Sequence, residues 1–153
     1  MAVRFSTGLR NNMLGSADLK TTFTNGVIYI YSGAQPATGD GAATGTLLGK
    51  VTVDGGAFSH GVATNGLNFD APASGVLAKA AAENWRFTGI TDGTAGWFRF
   101  AGNPNDDGLA STVLPRIDGS IAKSGGDMTL STTAIVTGAP STVDVFQLSM
   151  AAN

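Results

Sequence analysis

The sequence predicts an all-β protein, a β-sandwich or jelly-roll-like barrel of about eight short strands with a partly helical N-terminal arm. Short runs rich in β-branched and aromatic residues recur along the chain, and clusters of Gly, Pro, Asn, Asp and Ser separate them. Hydrophobic residues make up 42% of the 153 residues and the net charge is −2, a balance that favours a packed core over disorder. We therefore expect one folded unit, with the arm at residues 1–25 and the β-sandwich domain at residues 26–153.

The arm has a helical pattern. Leu9, Met13 and Leu14 recur at helical spacing, and Ser6 or Thr7 is a suitable N-cap for a helix that begins just before them. We therefore expect an amphipathic helix whose apolar side chains pack against another surface.

The arm is mildly basic. It contains Arg4, Arg10 and Lys20 against Asp18 alone, which gives three positive charges minus one, or +2. The rest of the chain has six basic and ten acidic residues, or −4. Because nucleic-acid binding needs a basic stripe, and three basic residues do not make one, we expect no nucleic-acid partner.

Composition bears on the surroundings of the protein. Only 13% of the residues are charged, and a surface of Ala, Thr, Ser and Gly suits either a subunit of an assembly or an extracellular β domain. The chain has no cysteine, so it has no disulfide framework and no thiolate metal site. The N-terminus lacks the apolar run of a signal peptide, and no stretch approaches a membrane span, so we expect a cytoplasmic protein with no membrane partner.

The first strands are the clearest. Residues 27–31 form a β-branched and aromatic run, and residues 47–53 form a second one. The loop between them, residues 33–45, consists mainly of small residues and is long enough to be functional or mobile.

A hairpin is predicted next. Residues 84–91 and 95–101 are strand-like, and the Asp92-Gly93-Thr94 sequence between them is typical of a tight turn. The remaining candidate strands are residues 66–71, 116–123, 128–137 and 143–150.

The aromatic residues of this predicted hairpin divide between two faces. Phe87, Phe98 and Phe100 are assigned to the core, because aromatic residues in a sandwich usually lie there. Trp97 and Arg99 share the other face of their strand, and Trp97 is the aromatic residue most suited to contact a partner.

Catalytic patterns are poor in this chain. It has a single histidine, His60, and a single glutamate, and it has no Gly-x-Ser-x-Gly nucleophile elbow. A surface turn histidine is the simpler interpretation, and we expect no enzymatic activity. The alternative is a small jelly-roll hydrolase that uses His60 with Asp54 or Asp70.

Cofactor and metal patterns are equally poor. Neither a Walker A sequence nor a Gly-x-Gly-x-x-Gly fingerprint is present, so no nucleotide cofactor is expected. Residues 103–108, Asn-Pro-Asn-Asp-Asp-Gly, are similar to part of a calcium loop but lack the downstream glutamate, and such clusters are ordinary turn formers. We expect no metal site.

Three segments carry a family resemblance. The segments lie within residues 5–53, about a third of the chain. They are Phe5-Ser-Thr-Gly-Leu-Arg-Asn-Asn-Met-Leu14, Gly26-Val-Ile-Tyr-Ile-Tyr-Ser-Gly-Ala-Gln-Pro-Ala37 and Thr44-Gly-Thr-Leu-Leu-Gly49. In their order along the chain and in their residues, these segments resemble small structural proteins of tailed bacteriophages, above all capsid decoration (cement) proteins.

The resemblance implies a structural role without catalysis. A decoration protein binds the outside of the icosahedral shell, commonly as a dimer or trimer, and clamps neighbouring subunits of the major capsid protein. Such a protein is made in the bacterial cytoplasm and located in the virion. The arm would become ordered on docking. The candidate contacts with the capsid or a sister subunit are Arg4, Phe5, Leu9, Arg10, Met13, Leu14, Trp97 and Arg99.

The main alternative is that the chain is a phage protein of the tail and not of the capsid. A tail-tip, baseplate or fibre protein would also be a β-rich oligomer. In that case an exposed Trp97 or Tyr31 would contact a glycan on the host surface.

Overall fold

The computed structural model describes residues 3–151 and confirms an all-β, sandwich-like fold, with 37% strand, 9% helix and a short N-terminal helix. Within these residues the strands are shorter and more numerous than the eight expected. In chain order the elements are β1 (Arg4–Phe5), α1 (Thr7–Gly15), α2 (Leu19–Thr22), β2 (Val27–Ser32), β3 (Leu47–Val53), β4 (Val76–Ala78), β5 (Trp85–Thr88), β6 (Gly93–Ala101), β7 (Arg116–Ala122), β8 (Met128–Thr129), β9 (Ala134–Ile135), β10 (Pro140–Thr142) and β11 (Gln147–Ser149).

The main sheet has the order β1-β7-β6-β2-β3-β5-β10, with β8 on β7 and β9 on β6. Strand β3 pairs with two different strands along its length, β2 and β5. Its first part pairs with β2, with Val51 opposite Ile28, and its end pairs with β5, with Val53 opposite Trp85. A separate two-stranded sheet contains β4 and β11.

The predicted hairpin is wrong, because β5 and β6 do not pair with each other. Strand β5 lies between β3 and β10, and β6 lies between β2 and β7. The connection passes beside β3, where the N–H of Ile90 donates to the carbonyl of Leu48 at 2.8 Å. The carboxylate of Asp92 binds the N–H and hydroxyl of Thr137, both at 2.7 Å, instead of closing a hairpin turn.

The core is rich in aromatic rings. Phe87, Phe98 and Phe100 are at most 1% exposed, as predicted for core residues. Phe146, near the C-terminal end of the described chain, joins them, with its ring centroid 5.5 Å from that of Phe98 in an edge-to-face arrangement. Burying such a side chain contributes about 1.5–3 kcal/mol, so these rings are a main source of stability.

The N-terminal segment is part of this core and not an arm that awaits a partner. Phe5 pairs with Ile117 of β7, and Leu9 is fully buried. Ser6 is the N-cap of α1, since its hydroxyl accepts from the N–H of Leu9 at 3.1 Å, and it also donates to the carbonyl of Leu114 at 2.8 Å. The expectation of ordering on docking is therefore corrected, because the partner of this segment is the chain's own β7.

Candidate functional site

The outer face of α1 carries two of the candidate contact residues. Leu9 points into the core, while Arg10 and Leu14 are exposed. These two lie four residues apart, so they are neighbours on one face of the helix. Among the described residues, Leu14 is the most exposed large hydrophobic side chain, at 88%.

The start of α1 is fixed by the long loop between β2 and β3. Asp40 in this loop accepts from the N–H and the hydroxyl of Thr7, both at 2.7 Å. The Thr7 hydrogen bonds hold the pKa of Asp40 below its usual value, despite some desolvation. Arg4 donates to the carbonyl of Pro36 in the same loop, so its guanidinium fastens the loop. The helix is therefore presented in a fixed position.

Phe5 and Met13 are half-buried and lie in a groove of about 640 Å³. The groove runs between the N-terminal segment and the β4–β11 sheet. Apolar side chains that line it include Val3, Phe5, Met13, Leu77, Phe146 and Leu148. Two of the predicted contact residues thus belong to one concave apolar surface.

Trp97 and Arg99 are not on the surface, contrary to the sequence expectation. Their side chains are 0% and 1% exposed. The Trp97 ring stacks on Tyr31 with centroids 4.6 Å apart, and its indole N–H donates to the carbonyl of Thr44 at 3.2 Å. The loop at residues 33–45 folds over this face of the sheet, so neither side chain is available to a partner in this structure.

Two buried ion pairs hold the loops over this face. Arg99 contacts Asp118 through Nε at 2.8 Å and Nη2 at 2.7 Å, and its Nη2 also donates to the carbonyl of Gly41 at 2.9 Å. Arg116 makes the same two-point contact with Asp106, at 2.7 and 2.6 Å. Burial raises the pKa of Asp118, and the guanidinium of Arg99 opposes that change. The pairs join the sheet to the loop before β3 and the loop before β7.

The partners in these ion pairs were not predicted from the sequence. Arg116 and Asp118 alternate on β7, so they share one face of that strand. The register places Asp118 opposite Arg99 of β6. The sequence does contain a cation on β6 and a carboxylate on β7, each at an alternating position of its strand. This pattern identifies an ion pair only when β6 is known to pair with β7 in the observed register.

Both ring nitrogens of His60 hydrogen-bond to other groups of the chain. Its Nε2 lies 2.8 Å from the hydroxyl of Tyr29 and its Nδ1 lies 3.0 Å from the carbonyl of Asn103. A carbonyl only accepts, so Nδ1 is the donor to Asn103, and the hydroxyl of Tyr29 is the partner of Nε2. Asp54 and Asp70 make their hydrogen bonds to other groups. The catalytic pairs considered for a hydrolase are therefore not assembled.

In the Asn-Pro-Asn-Asp-Asp-Gly loop at residues 103–108, the carboxylates of Asp106 and Asp107 hydrogen-bond to groups of the same chain. Both oxygens of Asp106 bind Arg116, and Asp107 accepts from the N–H of Leu109 at 3.0 Å. In the part of the chain that the structure describes, no three His, Cys, Asp or Glu side chains are grouped as metal ligands. The loop is thus bound to the protein's own cations and amides.

Comparison with protein-family models, curated proteins and solved structures gives no match for this chain. Between residues 3 and 151, neither helix has the length and apolar character needed to cross a membrane.

Proposed function

We propose that this chain is a structural virion protein that binds the outer surface of a tailed-phage capsid and stabilises it by clamping neighbouring capsid subunits. The observation that carries the proposal is the outer face of α1. There Leu14 is 88% exposed beside the exposed cation of Arg10. An apolar side chain next to a charge, on a fixed helix, suits a small and specific protein contact.

The fixed helix favours tight binding. Ordering a segment at the moment of binding costs free energy, and α1 is already ordered by Leu9 in the core and by Asp40 at Thr7. One contact of this size is weak. A repeating shell offers many such contacts, and attachment at two or more points raises the effective affinity by orders of magnitude.

The sequence resemblance to capsid decoration proteins supports the same role. The composition agrees with it, because only 13% of the residues are charged. Such a surface suits a protein packed against neighbours in an assembly.

Substitution of Leu14 tests the proposal. Leu14→Ser should weaken binding to capsids that lack this protein by about tenfold or more, since each lost 1.4 kcal/mol is a factor of ten. The fold should be unaffected because Leu14 contributes little to the core. The matched control is Val136→Ser, at a site 55% exposed in the connection between β9 and β10. Unchanged binding by the Leu14 variant in a sedimentation assay would overturn the assignment of this contact.

Copy number tests the location. Quantitative mass spectrometry of purified particles should give a ratio of this chain to the major capsid protein near one, or a simple fraction of it. A handful of copies per particle would assign the chain to the tail, and complete absence would end the structural interpretation.

A further inference from the structure

The two buried ion pairs leave some guanidinium N–H groups without acceptors. An arginine side chain has five N–H groups. Arg99 uses three of them, two on the carboxylate of Asp118 and one on the carbonyl of Gly41. Arg116 uses three in the same way, through its Nε and Nη2. In each arginine the remaining nitrogen, Nη1, is buried and has no hydrogen-bond partner within the described residues.

The loops above these two arginines are hydrogen-bonded to each other. The N–H of Ala43 donates to the carbonyl of Gly108 at 2.8 Å, and the N–H of Ser111 donates to the carbonyl of Asp40 at 2.9 Å. The two carbonyls that the arginines bind lie between these two hydrogen bonds, one on each loop. The guanidinium groups therefore end side by side beneath this loop junction.

The pairing of β6 with β7 brings the same two side chains together from below. Arg99 lies opposite Asp118, and Arg116 is two residues before Asp118 on β7. Residues two apart on a strand share a face, and diagonal neighbours on one face are within reach of long side chains. The two Nη1 atoms thus belong to one space between the sheet and the loops.

The charges beneath the loops do not balance. Arg4 is a third cation on this face, because it lies opposite Asp118 on the other side of β7. The carboxylates there are those of Asp106 and Asp118, and each is paired with a different arginine, Arg116 and Arg99. Three positive charges minus two negative charges leave +1. An excess charge away from water is costly unless an opposite charge accompanies it.

The carboxylate of Asp40, at the rim of the long loop, does not supply the missing negative charge. It accepts from the N–H and the hydroxyl of Thr7, both at 2.7 Å. The guanidinium of Arg10 donates to the same hydroxyl at 2.8 Å and so lies beside Asp40. Asp40 and Arg10 therefore balance each other, and the excess of +1 beneath the loops remains.

We propose that a small monovalent anion, of the chloride class, binds between Nη1 of Arg99 and Nη1 of Arg116. The N–H groups left over on the two nitrogens are all donors, so they favour an occupant that only accepts. A water molecule also brings two protons that need acceptors of their own. The hydroxyl of Tyr31 lies at the edge of the same space, since a Cβ at Gly108 would stand 3.9 Å from it, and it can donate to the ion as well.

The bound anion connects the sheet with both loops. It reduces the repulsion between two neighbouring guanidinium groups, and hydrogen bonds from a cation to an anion are about twice as strong as neutral ones. This inference goes beyond the proposed function, because it concerns the purified chain and needs no capsid. Anion binding can hold when capsid binding fails, and the reverse is also true.

Crystals of the wild-type chain grown in sodium bromide test the site directly. Bromide replaces chloride at such sites and scatters anomalously, so the anomalous difference map identifies it. We expect a peak within hydrogen-bond distance of both Nη1 atoms. A map with no anomalous peak there, whether a water or nothing occupies the space, overturns the proposal.

Thermal unfolding tests the same site in solution, in sodium chloride and in sodium gluconate at equal ionic strength. An ion that binds only the folded chain raises the melting temperature as its concentration rises. Gluconate is too large for the space, so we expect the melting temperature to be higher in chloride. Arg116→Lys keeps the charge but has no Nη1 and should lose this difference between the salts. Arg86→Lys, on β5, is the matched control and should retain it.

Three results in solution contradict the proposal. They are equal melting temperatures of the wild type in the two salts, an Arg116 variant that keeps the chloride effect, and an Arg86 variant that loses it. If Arg116→Lys does not fold, the bromide map and the salt comparison, both made on the wild-type chain, decide the question.

Discussion

Arg99 is a cation with almost no access to solvent, and its carboxylate partner Asp118 has none. Removing two charges from water costs several kcal/mol for each, and their attraction recovers that cost only with good geometry. The two-point contact at 2.7 and 2.8 Å is such a geometry. The pair is thus more important for holding the loop of Gly41 in place than for net stability.

Removing one charge of this pair should cost more stability than removing both. Arg99→Ala leaves the Asp118 carboxylate buried without a partner and should lower the free energy of unfolding by about 3–5 kcal/mol. The double variant Arg99→Met with Asp118→Leu removes both charges and should lose less than the single variant. Urea unfolding followed by tryptophan fluorescence measures both. A double variant that is less stable than Arg99→Ala would contradict this account.

At single positions, the sequence predicted which residues share a face but not what covers that face. Alternation along β6 correctly separated Phe98 and Phe100 from Trp97 and Arg99. The face of Trp97 was expected to be open, but the long loop covers it. Its position depends on contacts between residues far apart in the chain, such as Arg99 with Gly41, and no local pattern contains that information.

At the scale of elements, strands were easier to predict than their partners. The structure has β2 and β3 within a residue of the predicted bounds, because β-branched runs are local signals. The hairpin failed because Asp-Gly favours a turn without deciding which strands pair. The helix of the N-terminal segment was predicted, while its packing on β7 was not.

The junction between α1 and the long loop should respond to pH. Asp40 has a lowered pKa in the folded chain, so the folded state binds this proton less tightly than the unfolded state. Its contribution is fully present above the unfolded pKa, about 3.9, and is lost as pH falls through the lower folded value. Asp40→Asn lacks this dependence.

The measurement is the free energy of unfolding of both proteins between about pH 2 and pH 6, the range that brackets a carboxyl pKa. We expect the wild type to be more stable at the upper end, with the difference shrinking toward the lower end. A difference that is constant across the range would mean that the two Thr7 hydrogen bonds do not depend on the charge of Asp40.

At the scale of the whole molecule, the N-terminal segment is a structural requirement. Deleting residues 1–14 removes β1, most of α1 and the fully buried Leu9. Loss of one buried leucine side chain alone costs about 2–5 kcal/mol, a large part of the stability of a domain this size. We therefore expect the truncated chain not to unfold cooperatively.

Thermal unfolding followed by circular dichroism measures this, with Leu14→Ser as the control for an exposed position in the same segment. A truncated chain with a sharp transition near that of the wild type would show that the remaining residues fold alone. Capsid binding is therefore better tested by point substitution than by deletion.

The groove also determines where this protein can be modified for use. Val3 and Met150 line the same groove, so both ends of the described chain emerge on one side of the molecule. A fluorophore or display peptide attached at either of these two residues would therefore fill the groove or cover it. The exposed turn at Lys123–Gly125, between β7 and β8, is a better insertion point for such labels.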